Sequence, residues 1–256
     1  MTAGALNGKH ALVTGGGRGI GRAAAAALSR DGAIVTVLGR GEAALRQAVS
    51  MGAASHFVTA DVTDEADITR ALALVVAQAG TVSILVNNAG GAESAPFAKT
   101  DHALVMRMLT LNLVSAFVLS RALLPGMQAQ KFGRIINVAS TAGMKGYAYV
   151  SAYCAAKHGV VGLTRSLAQE LAKSGVTVNA VCPGYTETEL VAEAIRAIMA
   201  KTGRDEAAAR AELAKSNPQG RMVQPDEVAA AVAFLASGAA SAINGAILPV
   251  AGGEVS

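Results

Sequence analysis

Tyr153 and Lys157 stand four residues apart in the stretch SAYCAAKHGVVGLTRS, residues 151–166. Residues at that spacing share one face of a helix. A phenol beside an ammonium invites chemistry, because the stretch holds little other charge. The ammonium favours the phenolate and draws the tyrosine pKa from about 10 toward neutrality. A tyrosine so tuned can exchange a proton with a substrate oxygen, as general acid–base catalysis requires. Alone, the spacing is what many helices show by chance. Upstream, GRIINVAS reads as a buried strand running up to Ser140. The Ser140 hydroxyl then sits at the sheet edge, beside the start of the helix, within reach of a carbonyl oxygen.

Three further motifs read as ligand-holding backbone. TGGGRGIG, residues 14–21, joins an apolar run to an Ala-rich helical one. Its Gly15, Gly19 and Gly21 have the spacing G-x-x-x-G-x-G. Glycines there let backbone approach a pyrophosphate, and the following helix offers free N–H groups and a positive dipole end. A tight strand–helix turn is the plainer reading of such a loop. At the end of the second apolar run, LGR places Gly39 where a dinucleotide site keeps an acid for the ribose diol, with Arg40 next. An arginine there suits a 2′-phosphate, although a solvated surface arginine would look the same. NNAG, residues 87–90, and Asp61 also end apolar runs, where open parallel sheets bind ligands. Asx turns account for them equally well.

These residues need strands that end together. HALVT, AIVTVLG, SHFVTA, VSILVN, GRIINV, GVTVNAVCP and INGAILPV are Val/Ile/Leu-rich and unalternated, as strands covered on both faces are. Helical stretches separate them, at about residues 64–80 and 101–131 among others. The expected fold is a single-domain α/β, doubly wound, Rossmann-like parallel sheet of about seven strands with helices on both faces, spanning residues 1–256. Residues 185–222 carry two polar helical stretches, roughly 189–201 and 205–215. They are expected to form a small helical lid over the substrate.

Composition narrows the function classes. The 256 residues carry a net charge of +4, with Lys and Arg scattered and no Trp. Without a basic run or interleaved aromatics, nucleic acid is not an expected partner. No 18-residue apolar run lacks a charge or a breaker, so no membrane-spanning segment is expected. Cys154 and Cys182 form no disulfide framework or metal-ligand spacing, and no signal peptide precedes them. Reduced thiols and a cytoplasmic location are expected. The four histidines, His10, His56, His102 and His158, lack partners at metal or triad spacing. Met106, Met108 and Met127 read as core filling.

Taken in order, the motifs resemble those of the short-chain dehydrogenase/reductase family over essentially the whole chain. The matching residues are Thr14, Gly15, Gly19 and Gly21, then Asp61, Asn87–Gly90, the tetrad Asn112, Ser140, Tyr153 and Lys157, and the turn Pro183–Gly184. The resemblance implies hydride transfer between a nicotinamide and a ketone/alcohol pair. Tyr153 would exchange the proton and Ser140 orient the carbonyl oxygen. Lys157 would bind the nicotinamide ribose and tune Tyr153, and Asn112 would hold a water linking Lys157 to solvent. Cofactor contacts would add Gly17, Arg18, Ile20, Gly39, Arg40, Val62, Asn88, Ala89, Gly90, Thr186 and Thr188. NADP(H) is expected ahead of NAD(H), because no acid replaces Gly39 and two arginines lie near. The stretches GRIINVASTAG and GRMVQPDEVAAAVAFLAS are most similar to 3-oxoacyl thioester and polyketide ketoreductases, and to 3-hydroxyacyl-CoA dehydrogenases. Enzymes of sugars, steroids or terpenoid alcohols, and a nucleotide-binding homologue without catalysis, are the alternatives. The resemblance implies a homotetramer and no metal.

Overall fold

The computed structural model describes residues 4–255, apart from the side chains at 190, 197 and 201. Seven strands form one parallel sheet. They are β1 His10–Thr14, β2 Ile34–Gly39, β3 His56–Thr59, β4 Ile84–Asn87, β5 Gly133–Val138, β6 Val176–Pro183 and β7 Ile247–Val250. Their spatial order is β3-β2-β1-β4-β5-β6-β7. Every expected strand is present, and the sheet is the expected doubly wound one. After β3 the chain returns to the other side of β1, so the strand order reverses between β1 and β4. Val13 pairs there with Val37 on one side and Val86 on the other. That reversal opens a crevice beyond the carboxyl ends of the strands, where such sheets hold ligands.

Nine α-helices are described. These are α1 Gly19–Arg30, α2 Glu42–Ser50, α3 Glu65–Ala79, α4 His102–Leu109, α5 Ser115–Ala129, α6 Ser151–Glu170, α7 Glu189–Thr202, α8 Glu206–Ala214 and α9 Pro225–Ala236. One face of the sheet packs against α1, α2 and α9 through Ala24, Leu28, Leu45, Val228 and Leu235. The other packs against α3, α5 and α6 through Ile68, Leu72, Leu119, Met127 and Ala168. Alanine is the commonest side chain between α1 and the sheet, which brings the helix N-terminus close to the strand ends.

The helical stretch expected at about 101–131 is α4 and α5 joined by a π turn, Thr110–Val114. The Ser115 N–H bonds Thr110 O, five residues back, and the Ser115 hydroxyl takes up the bypassed Leu111 O at 2.7 Å. The whole run, His102–Ala129, has a mean hydropathy of 1.8 and is long and apolar enough to cross a membrane. Arg107, Arg121 and Pro125 are the interruptions that argue against a span in the sequence. In the fold α4 lies against α6, and α5 against β4 and β5, which buries part of the run's apolar surface and leaves Met106, Val114 and Phe117 exposed. Met108 and Met127 are buried as expected, and Met106 is not.

Candidate active site

Thr14 ends β1 and organises the crevice. Its hydroxyl oxygen accepts from the N–H groups of Asn88 and Ala89, at 3.0 and 2.9 Å. Asn88 returns the contact, its side-chain amide donating to Thr14 O at 2.9 Å and Gly15 O at 3.2 Å. The glycine loop and the NNAG turn are thereby one unit. Gly15 has φ +62°, a left-handed conformation that side chains resist, and a Cβ there would lie 2.9 Å from Asn88 Nδ2. A Cβ on Gly21 would collide with Gly15 O.

Helix α1 begins in this loop without a side-chain cap and without an acid in its first turn. By contrast Asp64, Asp101, Thr188 and Asp205 cap α3, α4, α7 and α8. The free N–H groups of α1, beside backbone that only glycine permits, fit a pyrophosphate. Thr188 closes over this end, its methyl 3.1 Å from where a Gly19 Cβ would stand. The Thr188 hydroxyl donates to Thr186 O and that of Thr186 to Gly184 O, so the turn after Pro183 is held toward the loop. Gly17 packs against Ala44, Ile20 is partly buried in the core, and Arg18 is exposed.

Gly39 ends β2. A Cβ there would meet nothing closer than 3.7 Å, so this edge has room for a larger residue. Arg40 is exposed, with its guanidinium 3.9 Å from Asp61. The two line a shallow cavity of about 270 Å³ with Thr59, Ala60, Asp67 and Arg70. Hydrogen bonds from the Thr63 N–H and hydroxyl hold the Asp61 carboxyl below its usual range. Val62 beside it is buried.

On the other side of the crevice, Lys157 is 4% exposed, and its ammonium donates to Val138 O at 2.8 Å. It lies 5.7 Å from the centre of the Tyr153 ring. A Cβ on Gly90 would stand 3.5 Å from Lys157 Nζ and 2.7 Å from Asn112 Oδ1, so the NNAG turn reaches both. Asn112 sits in the π turn. Its amide donates to Gly91 O and Met108 O, and its oxygen accepts from Gly91 N–H. Ser140 opens a tight turn, Thr141–Gly143, its hydroxyl oxygen accepting from Ala142 N–H at 3.1 Å.

The expected tuning of Tyr153 is corrected by this geometry. Burial pushes its pKa up to about 12, and only a hydrogen bond with Ser140 opposes that. Burial likewise pushes Lys157 down to about 8. Residue spacing shows that two groups meet but not how much water they lose, and desolvation disfavours both charged forms. Tyr153 is therefore a neutral proton donor near neutral pH.

Some other readings change. Asn87, quoted with its neighbours as a ligand motif, is buried and bonds Asn137 and Ser120 within the fold. Buried His10 bonds Gly80 O and Thr36. No cluster of metal-ligating side chains occurs among the described residues. The sequence assigns no individual role to Lys145, Tyr147 or Glu254, and Tyr185 enters it only as the start of the lid. Tyr147 and Tyr185 meet edge to face at 6.5 Å beside the site, and Glu254 reaches Lys145 and Tyr147 from the last turn of the chain. A charged residue after the paired glycines of AGGEVS was the only sequence signal.

Comparison with known proteins agrees with this geometry. The family described as short chain dehydrogenase matches residues 9–198. The chain is 42% identical over 255 residues to the D-beta-hydroxybutyrate dehydrogenase of Cupriavidus necator, covering 98% of this chain and 99% of that protein. It is 41% identical over 260 residues to the 3-oxoacyl-(acyl-carrier-protein) reductase of Vibrio harveyi, covering 97% and 98%. Among solved structures, an actinorhodin polyketide ketoreductase variant with NADPH superposes with a TM-score of 0.92 at 37% identity, covering 96% of this chain and 97% of that one.

Proposed function

The chain belongs to the short chain dehydrogenase family and is an NAD(P)-dependent oxidoreductase of the ketone/alcohol type, and from that premise we propose that it reduces a 3-oxoacyl group, as a thioester or free acid, with NADP(H). The observation that carries this reading is the placement of Ser140, Tyr153 and Lys157 at the strand ends, across one crevice from an uncapped helix and a glycine loop.

Roles follow from the chemistry of each group. Thr14, Gly15, Gly17, Gly19, Ile20 and Gly21 would hold the dinucleotide's pyrophosphate, with Asp61, Val62 and Asn88–Gly90 along its adenosine side. Pro183, Gly184, Thr186 and Thr188 would enclose the nicotinamide, which when bound supplies the hydride. Ser140 donates a hydrogen bond to the ketone oxygen and fixes its direction. Tyr153, kept neutral by burial, gives that oxygen its proton. Lys157 holds the ribose hydroxyls. The Asn112 side chain bonds Gly91 and Met108, and from this turn Asn112 would hold a water next to Lys157.

Arg40 and Arg18 support the preference for a 2′-phosphate, and the NADPH carried by the structural relative is in keeping with it. The names of the relatives support a 3-oxo or 3-hydroxy acyl substrate. Residues 185–222 would act as the lid of a single 1–256 unit, and their contact with Gly19 through Thr188 favours that. A homotetramer in the cytoplasm completes the proposal. It is supported by exposed Met106, Val114 and Phe117 on α4–α5 and Phe234 on α9, which pairing would cover. The test is nicotinamide absorbance with a panel of 3-oxoacyl thioesters, free 3-oxo acids and cyclic ketones, run with each cofactor. Turnover confined to the cyclic ketones would reject the substrate class.

A further inference from the structure

Glu254 is a charged residue buried at the wall of the site. Its side chain is 1% exposed. Oε1 lies 3.1 Å from Lys145 Nζ and accepts from the Tyr147 hydroxyl. Oε2 has no hydrogen-bond partner among the described residues, and a Cβ on Gly184 would come within 2.8 Å of it. A buried carboxylate with one oxygen unmatched is a poor stabiliser, because desolvation costs more than a single ion pair returns. Such costs persist where a site uses them.

The hydrogen bonds run in one direction. A carboxylate paired with an ammonium only accepts, so Tyr147 donates to Glu254. The Tyr147 oxygen then accepts from the Thr141 hydroxyl, at 2.6 Å. Burial and the neighbouring Glu254 hold the Tyr147 pKa far above its ordinary value, so the phenol stays a donor. Thr141 directly follows Ser140 and opens the tight turn. Its carbonyl accepts from Met144 N–H and Lys145 N–H, and Ser140 O accepts from Gly143 N–H. One carboxylate therefore grips the turn twice, through the Thr141 hydroxyl at its start and Lys145 beyond its end.

We propose that Glu254 is a positioning residue for Ser140, acting through Tyr147 and Thr141 to fix the turn that aims the Ser140 hydroxyl. The inference rests on the ketone reduction proposed above, in which Ser140 meets the substrate oxygen. A misaimed donor slows the chemical step and spares most of cofactor binding, whose pyrophosphate and adenosine contacts lie on the opposite wall of the crevice. A displacement of 1 Å can cost up to about 100-fold in rate.

The test compares Glu254→Gln, Tyr147→Phe, Thr141→Val and Thr141→Ser with the unaltered enzyme. The readouts are kcat, KM for the ketone, NADPH affinity by fluorescence, and Tm. Glu254→Gln, Tyr147→Phe and Thr141→Val should each lower kcat by about tenfold or more, with NADPH affinity unchanged. Thr141→Ser, which keeps the hydroxyl, should retain most of the rate. The Glu254→Gln, Tyr147→Phe double variant should be no slower than the slower single one, because both break the same chain. Multiplying effects in the double variant, or Tyr147→Phe and Thr141→Val at full rate, would overturn the proposal. So would a fall in Tm with kcat intact. If Glu254→Gln fails to fold, the Tyr147 and Thr141 variants decide alone. Tyr153→Phe serves as the control. Activity surviving there rejects the reaction itself, whereas a dead Tyr153→Phe beside a fully active Tyr147→Phe rejects only the positioning role.

Discussion

Thr14→Val is the sharpest probe of how the two halves of the crevice are joined. Valine matches threonine in shape, so the 1%-exposed site keeps its packing. What is lost is one oxygen that accepts from Asn88 N–H and Ala89 N–H at 3.0 and 2.9 Å. Leaving a buried donor unpaired costs about 1–3 kcal/mol. Both donors belong to half-buried residues, so water can recover part of that. Asn88 N–H keeps a partner in Val86 O at 3.1 Å, so Ala89 N–H is the donor left unpaired, and the total is about 1–2 kcal/mol, or roughly a 5- to 30-fold change in the folding equilibrium. The NNAG turn keeps its Asn88 side-chain bonds to Thr14 O and Gly15 O but loses the hydroxyl that fixes its backbone, so NADPH affinity should fall with stability. Urea unfolding at one protein concentration reads the first effect and NADPH fluorescence titration the second. Thr14→Ser, which retains the oxygen, should restore most of both. A Thr14→Val protein within about 0.5 kcal/mol of the parent, a change typical of neutral surface sites, would show that the hydroxyl does not tie the loops together.

Other outcomes follow from the same geometry. Tyr153→Phe should abolish turnover and leave NADPH binding in place; more than a tenth of the parent rate, a threshold set at about one decade of barrier, would remove the phenol from proton transfer. Gly39→Asp with Arg40→Ala should reverse a preference for NADP(H), since the β2 edge has room for the acid and the exposed guanidinium is lost. An unchanged cofactor ratio would show that this edge does not read the phosphate. Light scattering at micromolar concentration should report a tetramer, and Phe117→Glu, which charges an exposed apolar face, should break it into smaller species; a monomeric parent protein would reject that assembly.

The sheet was legible because its strands are short unalternated apolar runs, each closed by glycine or polar residues at the end that forms the crevice. The glycine loop and Ser140 were legible for the same reason, as they interrupt such runs at a strand's carboxyl end. The π turn at Thr110–Val114 was not, since one extra residue in a helical run hardly alters its apolar pattern. Asn112 entered through resemblance, and nothing local points to its partner Gly91. Glu254 escaped notice because its partners, Lys145 and Tyr147, are about a hundred residues earlier and meet it only after β6 and β7 pair. The Tyr153 pKa was misread in direction, because residue types reveal which charges meet and only the fold reveals how dry they are.

That dryness makes Lys157 testable by stability alone. Its ordinary pKa is 10.5 and burial lowers it to about 8 in the folded chain. Below pH 8 both folded and unfolded chains hold the proton, and the fold bears the cost of a buried ammonium. Between about pH 8 and 10.5 the unfolded chain still holds it while the folded chain has released it. The unfolded state then binds more protons, so stability rises with pH by at most about 1.4 kcal/mol per pH unit. Cys182, raised by burial to about 11, acts in the opposite sense over part of this range. It remains in Lys157→Met, so its contribution largely cancels when that variant is subtracted. The stability of the parent relative to Lys157→Met should therefore climb from pH 8 to pH 10. A flat or falling difference would mean that the ammonium is well solvated or firmly paired, and the role built on its burial would go with it. Over the same interval ketone reduction should decline, because the ammonium that holds the ribose is the species being lost. Tyr153, with its pKa near 12, keeps its proton throughout and cannot cause that decline. Stability gained where activity is lost is the signature expected of a charge that the fold buries for the reaction.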